Sequence, residues 1–134
     1  MVKARVLETN EGIQNESTVE TFDLFARSMR DKGWNGVDGM ISSGIKGGDM
    51  LEIGPGSGYV GLDLAKKLHP SSLTGCEISP AMIRFAEKNA ATYGIPARYT
   101  LGNCMEMHLR TKALLQLSQM APCMSGRIPF NCFV

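Results

Sequence analysis

Residues 49–60 read Asp49-Met50-Leu51-Glu52-Ile53-Gly54-Pro55-Gly56-Ser57-Gly58-Tyr59-Val60, and no other stretch constrains the fold as tightly. An apolar run enters three glycines at alternate positions, and an amphipathic segment follows. A strand that ends in glycines and turns into a helix brings backbone N–H groups close to a ligand, beside the positive end of a helix dipole. Glu77 then closes a second apolar run, Leu73-Thr74-Gly75-Cys76. An acid at the tip of the next strand is placed to accept hydrogen bonds from the two hydroxyls of a ribose. Glycine loop and strand-end acid together read as a site for an adenosine-containing cofactor.

Two cofactor classes fit that outline. Gly56-Ser57-Gly58-Tyr59-Val60-Gly61 satisfies G-x-G-x-x-G, the dinucleotide pattern, so half of a nicotinamide-dependent oxidoreductase is one reading. Alone the match is weak. Glu52 stands just ahead of the first glycine, where a pyrophosphate-binding loop gains nothing from a carboxylate. It suits a cationic ligand instead, and S-adenosylmethionine carries both an ammonium and a sulfonium.

Composition narrows the class further. At 134 residues the chain supports one domain with a single core. A net charge of +1 without a basic run leaves no footprint for nucleic acid. No apolar run approaches the ~20 residues of a membrane span, and Met1-Val2-Lys3-Ala4-Arg5 lacks the apolar core of a signal peptide. Cys76, Cys104, Cys123 and Cys132 form no C-x-x-C and no metal-ligand spacing. A reduced, cytoplasmic protein without a metal centre is expected, with Cys76 as an ordinary buried thiol.

Along the chain, helical and strand patterns alternate. Ser17-Thr18-Val19-Glu20 reads as a capping box, followed by Val19, Phe22, Phe25, Ala26 and Met29 at helical spacing up to Gly33. Gly36 to Gly48 is loop-rich, with a short helix around Met40 and Ile41. Strands are expected at Met50–Ile53, Leu73–Glu77 and Ala97–Leu101, and helices at Tyr59–Leu68 and from Pro80 to Gly94. Ser79 caps the last helix, with Pro80 at its first position. Strand–helix repeats at this spacing mean a parallel sheet with right-handed crossovers.

The motifs now carry a family resemblance. Leu51-Glu52-Ile53-Gly54-Pro55-Gly56-Ser57-Gly58 resembles the first motif of the class I S-adenosylmethionine-dependent methyltransferases, and Glu77-Ile78-Ser79-Pro80-Ala81-Met82 resembles the second. Leu101-Gly102-Asn103-Cys104-Met105-Glu106-Met107 is similar to the third, where the family usually has Asp and this chain has Asn103. The likeness covers about residues 15–107. It implies an α/β, three-layer Rossmann-like half domain with strand order 3-2-1, lacking the family's later strands. It also implies a cofactor site made of Glu52, Gly54, Pro55, Gly56, Ser57, Gly58, Glu77, Ile78, Met82, Asn103 and Cys104. In that site Glu77 takes the ribose, Ile78 and Met82 sandwich the adenine or pack, and Asn103 takes the adenine amino group or caps a turn. Tyr59 lines the cleft, whereas Phe22 belongs to the packing. No catalytic residue is assigned. The methyl acceptor is expected to be a small molecule.

Residues 108–134 depart from the family, whose fourth strand begins shortly after the position of Met107. A one-base shift of register after Met107, with permitted codons throughout, yields a Pro-Phe turn, an apolar strand and Ser-Leu-His, resembling that fourth-strand region. The tail is therefore expected to be frameshifted, leaving residues 1–107 as a cap helix plus cofactor-binding half without catalysis of its own. Without the fourth strand, Met50–Ile53 becomes an unpaired apolar edge. Two repairs are available: the tail folds back beside that strand, or two chains join into a homodimer, which is the preferred expectation.

Overall fold

The computed structural model describes residues 13–103 and the pair 132–133. Its first helix, α1 (Glu16–Asp31), is capped by Asn15, whose side chain accepts from the Thr18 N–H at 3.3 Å. The capping box expected at Ser17 therefore sits differently. Ser17 is already inside the helix and donates its hydroxyl to Asn15 at 2.6 Å, because the Asn15 carbonyl accepts the first helical bond, from Val19. Gly33 ends the helix as expected, with φ +71°, while Trp34 N–H reaches back to the Met29 carbonyl at 2.8 Å. That is the left-handed cap glycine favours.

After a one-and-a-half-turn helix, α2 (Val37–Ser42), strands and helices alternate as the periodicity requires. They are β1 (Asp49–Ile53), α3 (Tyr59–Leu68), β2 (Ser72–Glu77), α4 (Pro80–Tyr93) and β3 (Ala97–Leu101). Ser79 caps α4 by accepting from Met82 N–H at 3.2 Å, and Gly94 stops it with φ +68°. β1 runs parallel to β2 and β2 parallel to β3, with Met50 opposite Leu73 and Leu73 opposite Ala97. The result is a three-stranded parallel unit in the order 3-2-1, the Rossmann-like half expected from the sequence. All three strands point their C-terminal ends the same way, where ligands of open α/β sheets bind.

The far edge of β1 is partly occupied. Cys132–Phe133, β4, runs antiparallel beside it, with Phe133 opposite Glu52 and Cys132 opposite Ile53. The fourth position of the sheet thus belongs to a two-residue strand from the same chain. This is the fold-back repair in short form, and it leaves Asp49, Met50 and Leu51 beyond its reach.

Helices α3 and α4 cover the sheet through Met50, Leu62, Leu64, Ala65, Leu73, Ala86, Ala90 and Tyr99, one continuous apolar cluster. Leu62 and Leu64 are fully buried, each contributing about 1.5–3 kcal/mol. A second cluster of Val19, Ala81 and Met82, with Ile13, Phe22 and Phe85 against it, fastens α1 onto the start of α4. It brings α1 across the glycine-bearing end of the sheet. Among the described residues no helix is long and apolar enough to cross a membrane.

Candidate functional site

The chain leaves β1 through a loop in which Gly54, Gly56 and Gly58 all have positive φ, at +67°, +56° and +88°. A side chain at such a position costs about 1–2 kcal/mol, so three alternating glycines are what this path needs. Hydrogen bonds fix the loop at both ends. Gly54 N–H donates to the Cys76 carbonyl at 2.9 Å, and Gly58 N–H to the Pro55 carbonyl at 2.9 Å. Between them, Gly56 N–H donates to Glu77 Oε2 at 2.9 Å. The other oxygen of Glu77 accepts from Ile78 N–H at 2.9 Å and Ser79 N–H at 3.0 Å. Glycine loop and strand-end acid, far apart in sequence, meet in one site. Gly102 N–H donates to the Glu77 carbonyl at 2.9 Å, which draws the end of β3 to the same place.

Glu52 behaves differently from its neighbours in the motif. It was expected at a cationic ligand, yet it is completely buried, on the face of β1 that also buries Met50. Its carboxyl lies beneath α3 against Gly61, where an added Cβ would come within 2.1 Å of Oε2. Among the described residues neither carboxyl oxygen makes a hydrogen bond of good geometry, the nearest donor being the Gly61 N–H. Burial pushes its pKa up to about 8, the nearby Gly61 N–H lowers it somewhat, and the charge of Glu77 raises it further. At neutral pH Glu52 is mostly a protonated acid inside the core. The two-residue alternation of the strand turns residue 52 to the same side as residue 50.

The remaining expected residues divide. Pro55, Gly56, Ser57 and Gly58 are buried in the loop, and Ile78 is half-buried just past Glu77. Met82 is 4% exposed and packs in the cluster under α1. Asn103 is half-buried after β3, and Cys104 lies outside the described residues. A cavity of about 200 Å³ opens between α1 and the loop. Phe22, Phe25, Met29, Trp34, Pro55 and Val60 give it apolar walls, and Gly54, Ser57 and Tyr59 also line it. Phe22 therefore serves both the cavity and the packing, its ring reaching within 3.0 Å of where a Cβ on Gly56 would stand. The hydroxyls of Ser57 and Tyr99 are buried without a hydrogen-bond partner among the described residues.

Sequence reasoning passed over Asp23 and Asn89, both buried next to this loop. Asp23 had one visible sign: it stands one helical turn after Val19, on the buried stripe of α1.

The description "Methyltransferase domain" fits residues 50–119, more than half of the chain and extending past Met107. Among curated proteins, the release factor glutamine methyltransferase of Geobacter sulfurreducens is 44% identical over 52 residues. That stretch is 39% of this chain and 18% of the relative. One solved structure, from work on the conversion of a disulfide bond into a thioacetal group during echinomycin biosynthesis, is 27% identical with a TM-score of 0.44. It covers 52% of this chain and 28% of that one. The PH0226 protein of Pyrococcus horikoshii OT3 is 20% identical with a TM-score of 0.42, covering 69% of this chain and 36% of that one. The chain thus spans well under half the length of each. By its sequence, over the very segment that builds the glycine loop and its acid, this chain belongs to the methyltransferase domain family.

Proposed function

We propose that the chain is the S-adenosylmethionine-binding half of a methyltransferase acting on a small molecule, and that it binds cofactor without transferring the methyl group. The contact between Gly56 N–H and the Glu77 carboxylate carries the reading, because it puts loop donors and a strand-end acceptor side by side. The fit is chemical as well as spatial. Three left-handed glycines keep side chains off the loop, and Glu77 offers a buried carboxylate for paired hydroxyls at the end of β2. Gly54, Pro55, Gly56, Ser57 and Gly58 would hold the methionyl part, with Glu77 on the ribose and Ile78 and Asn103 by the adenine. When bound, the cofactor supplies a methyl group already activated on sulfur, so the protein's share is placement and exclusion of water.

The small-molecule acceptor is supported by the size and lining of the cavity between α1 and the loop, about 200 Å³ with mostly apolar walls. The curated relative acts on a release factor glutamine, but the match spans only 18% of it and carries no acceptor over. The reading without transfer is supported by the sheet among the described residues. Beside β1, where the family has its fourth parallel strand, stands a two-residue antiparallel strand.

Calorimetry with S-adenosylhomocysteine tests the binding. Wild type is expected to bind, Glu77→Ala to lose binding, and nicotinamide dinucleotide to give no heat. Glu77→Gln keeps the volume and one acceptor oxygen, enough for either Gly56 N–H or the Ile78 and Ser79 N–H groups, and thermal melts of both variants separate ligand loss from unfolding. Equal affinity in wild type and both folded variants would overturn the assignment of Glu77.

A further inference from the structure

Helix α1 grips the glycine loop through a buried polar relay that the cofactor motifs do not include. Asp23 is 2% exposed and sits on the inward face of α1. Its Oδ1 accepts from Asn89 Nδ2 on α4 at 3.0 Å. The same amide nitrogen donates to the Ser57 carbonyl at 2.9 Å. Its Oδ2 accepts from Arg27 Nη2 at 2.9 Å, while Arg27 Nε donates to the Tyr59 hydroxyl at 3.1 Å. Ser57 and Tyr59 flank Gly58, the last left-handed residue before α3 begins. The relay therefore holds the loop on both sides of its final turn, and the preceding residue, Phe22, packs its ring on Gly56.

We propose that Asp23 is a positioning residue for the cofactor loop, setting the Ser57 backbone through Asn89 and the Tyr59 ring through Arg27. The proposal rests on the reading of Gly54–Gly58 as that loop. A carbonyl of a tight loop that accepts from a buried side-chain amide loses its usual freedom to rotate its peptide plane. Rotation of the Ser57–Gly58 peptide would swing the Gly58 N–H, which now donates to the Pro55 carbonyl at 2.9 Å. The amide of Asn89 can point its nitrogen at Ser57 only while an acceptor stands on its other side, and Asp23 is that acceptor. Asp23→Asn leaves one acceptor oxygen for two donors, so the new NH2 faces either Asn89 or Arg27 and one arm of the relay is lost while the volume is kept. The loop is left folded but free to sample other peptide orientations, so part of the binding free energy goes into ordering it.

The test measures S-adenosylhomocysteine affinity by calorimetry for wild type, Asp23→Asn and Val37→Ala, with thermal melts establishing that each is folded at the assay temperature. Val37 is buried in α2 within the main core cluster, and it belongs neither to the cavity lining nor to the relay, so its truncation lowers stability without touching the relay. Asp23→Asn is expected to weaken binding about tenfold or more, which is about 1.4 kcal/mol, while Val37→Ala binds as wild type does. Amide resonances of Gly56 and Gly58 are expected to move in Asp23→Asn and to stay in place in Val37→Ala. Wild-type affinity in folded Asp23→Asn would overturn the proposal. Should that variant fail to fold, Arg27→Met takes its place, since the Arg27 side chain is about half exposed. It is expected to weaken binding at least about threefold, and unchanged affinity there overturns the proposal too. If wild type itself does not bind, the cofactor reading of the loop fails, and the positioning role falls with it.

Discussion

Substituting Glu52 with Gln should make the protein's stability depend less on pH, by an amount the structure sets. The Glu52 carboxyl is fully buried and held protonated, its pKa raised from 4.5 to about 8 chiefly by burial. A folded-state pKa above the unfolded value means that the folded chain holds the extra proton throughout that window. Glu52's contribution is then fully present below about pH 4.5 and is lost as pH rises towards about 8. Each pH unit inside the window removes about 1.4 kcal/mol. Between about pH 5.5 and about pH 7.5, wild type should lose about 3 kcal/mol through this one group. Gln keeps the shape of the protonated acid and does not titrate, so Glu52→Gln should hold its ground over the same interval. Urea unfolding of both proteins at the two pH values measures the difference, and comparing one with the other cancels every other titrating group. A stability difference that stays constant with pH would show that Glu52 is ionised in the fold, which requires a cationic partner or water at its carboxyl.

Other expectations are simpler to state. Gly58→Ala places a side chain at φ +88° and a Cβ 2.9 Å from the Tyr99 hydroxyl and 3.3 Å from Ala86 Cβ. It should cost the backbone penalty of about 1–2 kcal/mol plus an overpacking term of about 1–3 kcal/mol. Gly33→Ala, at φ +71° with nothing within 4 Å, should show the backbone penalty alone, and equal losses in the two melts would count against the tight fit around Gly58. Labelled S-adenosylmethionine incubated with a panel of small acceptors should give no transfer above background; turnover would sink the claim that the chain is silent. A homodimer through Met50 and Leu51, the part of β1 that β4 does not pair, is proposed as the assembly, and light scattering that gives a monodisperse monomer would refute it.

Most of the fold was legible because its elements obey local rules strongly. Ser79 and Pro80 mark the start of α4, Gly94 its end, and the apolar positions between them repeat at helical spacing. The glycine loop could be placed because no other residue follows its backbone path. Where a local rule had two candidates, the sequence could not choose. Asn15 and Ser17 are both good cap residues, and the helix starts from Asn15 because Val19 then lands in the cluster with Ala81 and Met82. That preference is set by a contact with α4, and nothing within residues 15–20 encodes it.

The site divides along the same line. Glu77 was legible as a strand-end acid beside the glycine loop, and the Gly56 contact joins the two, while its role towards a ribose belongs to the proposal. Glu52 was read from its nearness to Gly54, yet strand alternation ties its direction to Met50, a core residue. For Asp23 and Asn89 no such local tie exists. They lie 66 positions apart, and each alone is an ordinary polar residue on a helix. Only the crossing of α1 over α4 makes them partners, and that crossing is decided by Val19, Ala81 and Met82. The loop's chemistry is thus written locally in its glycines, while its rigidity depends on a helix packing that no segment near the loop determines.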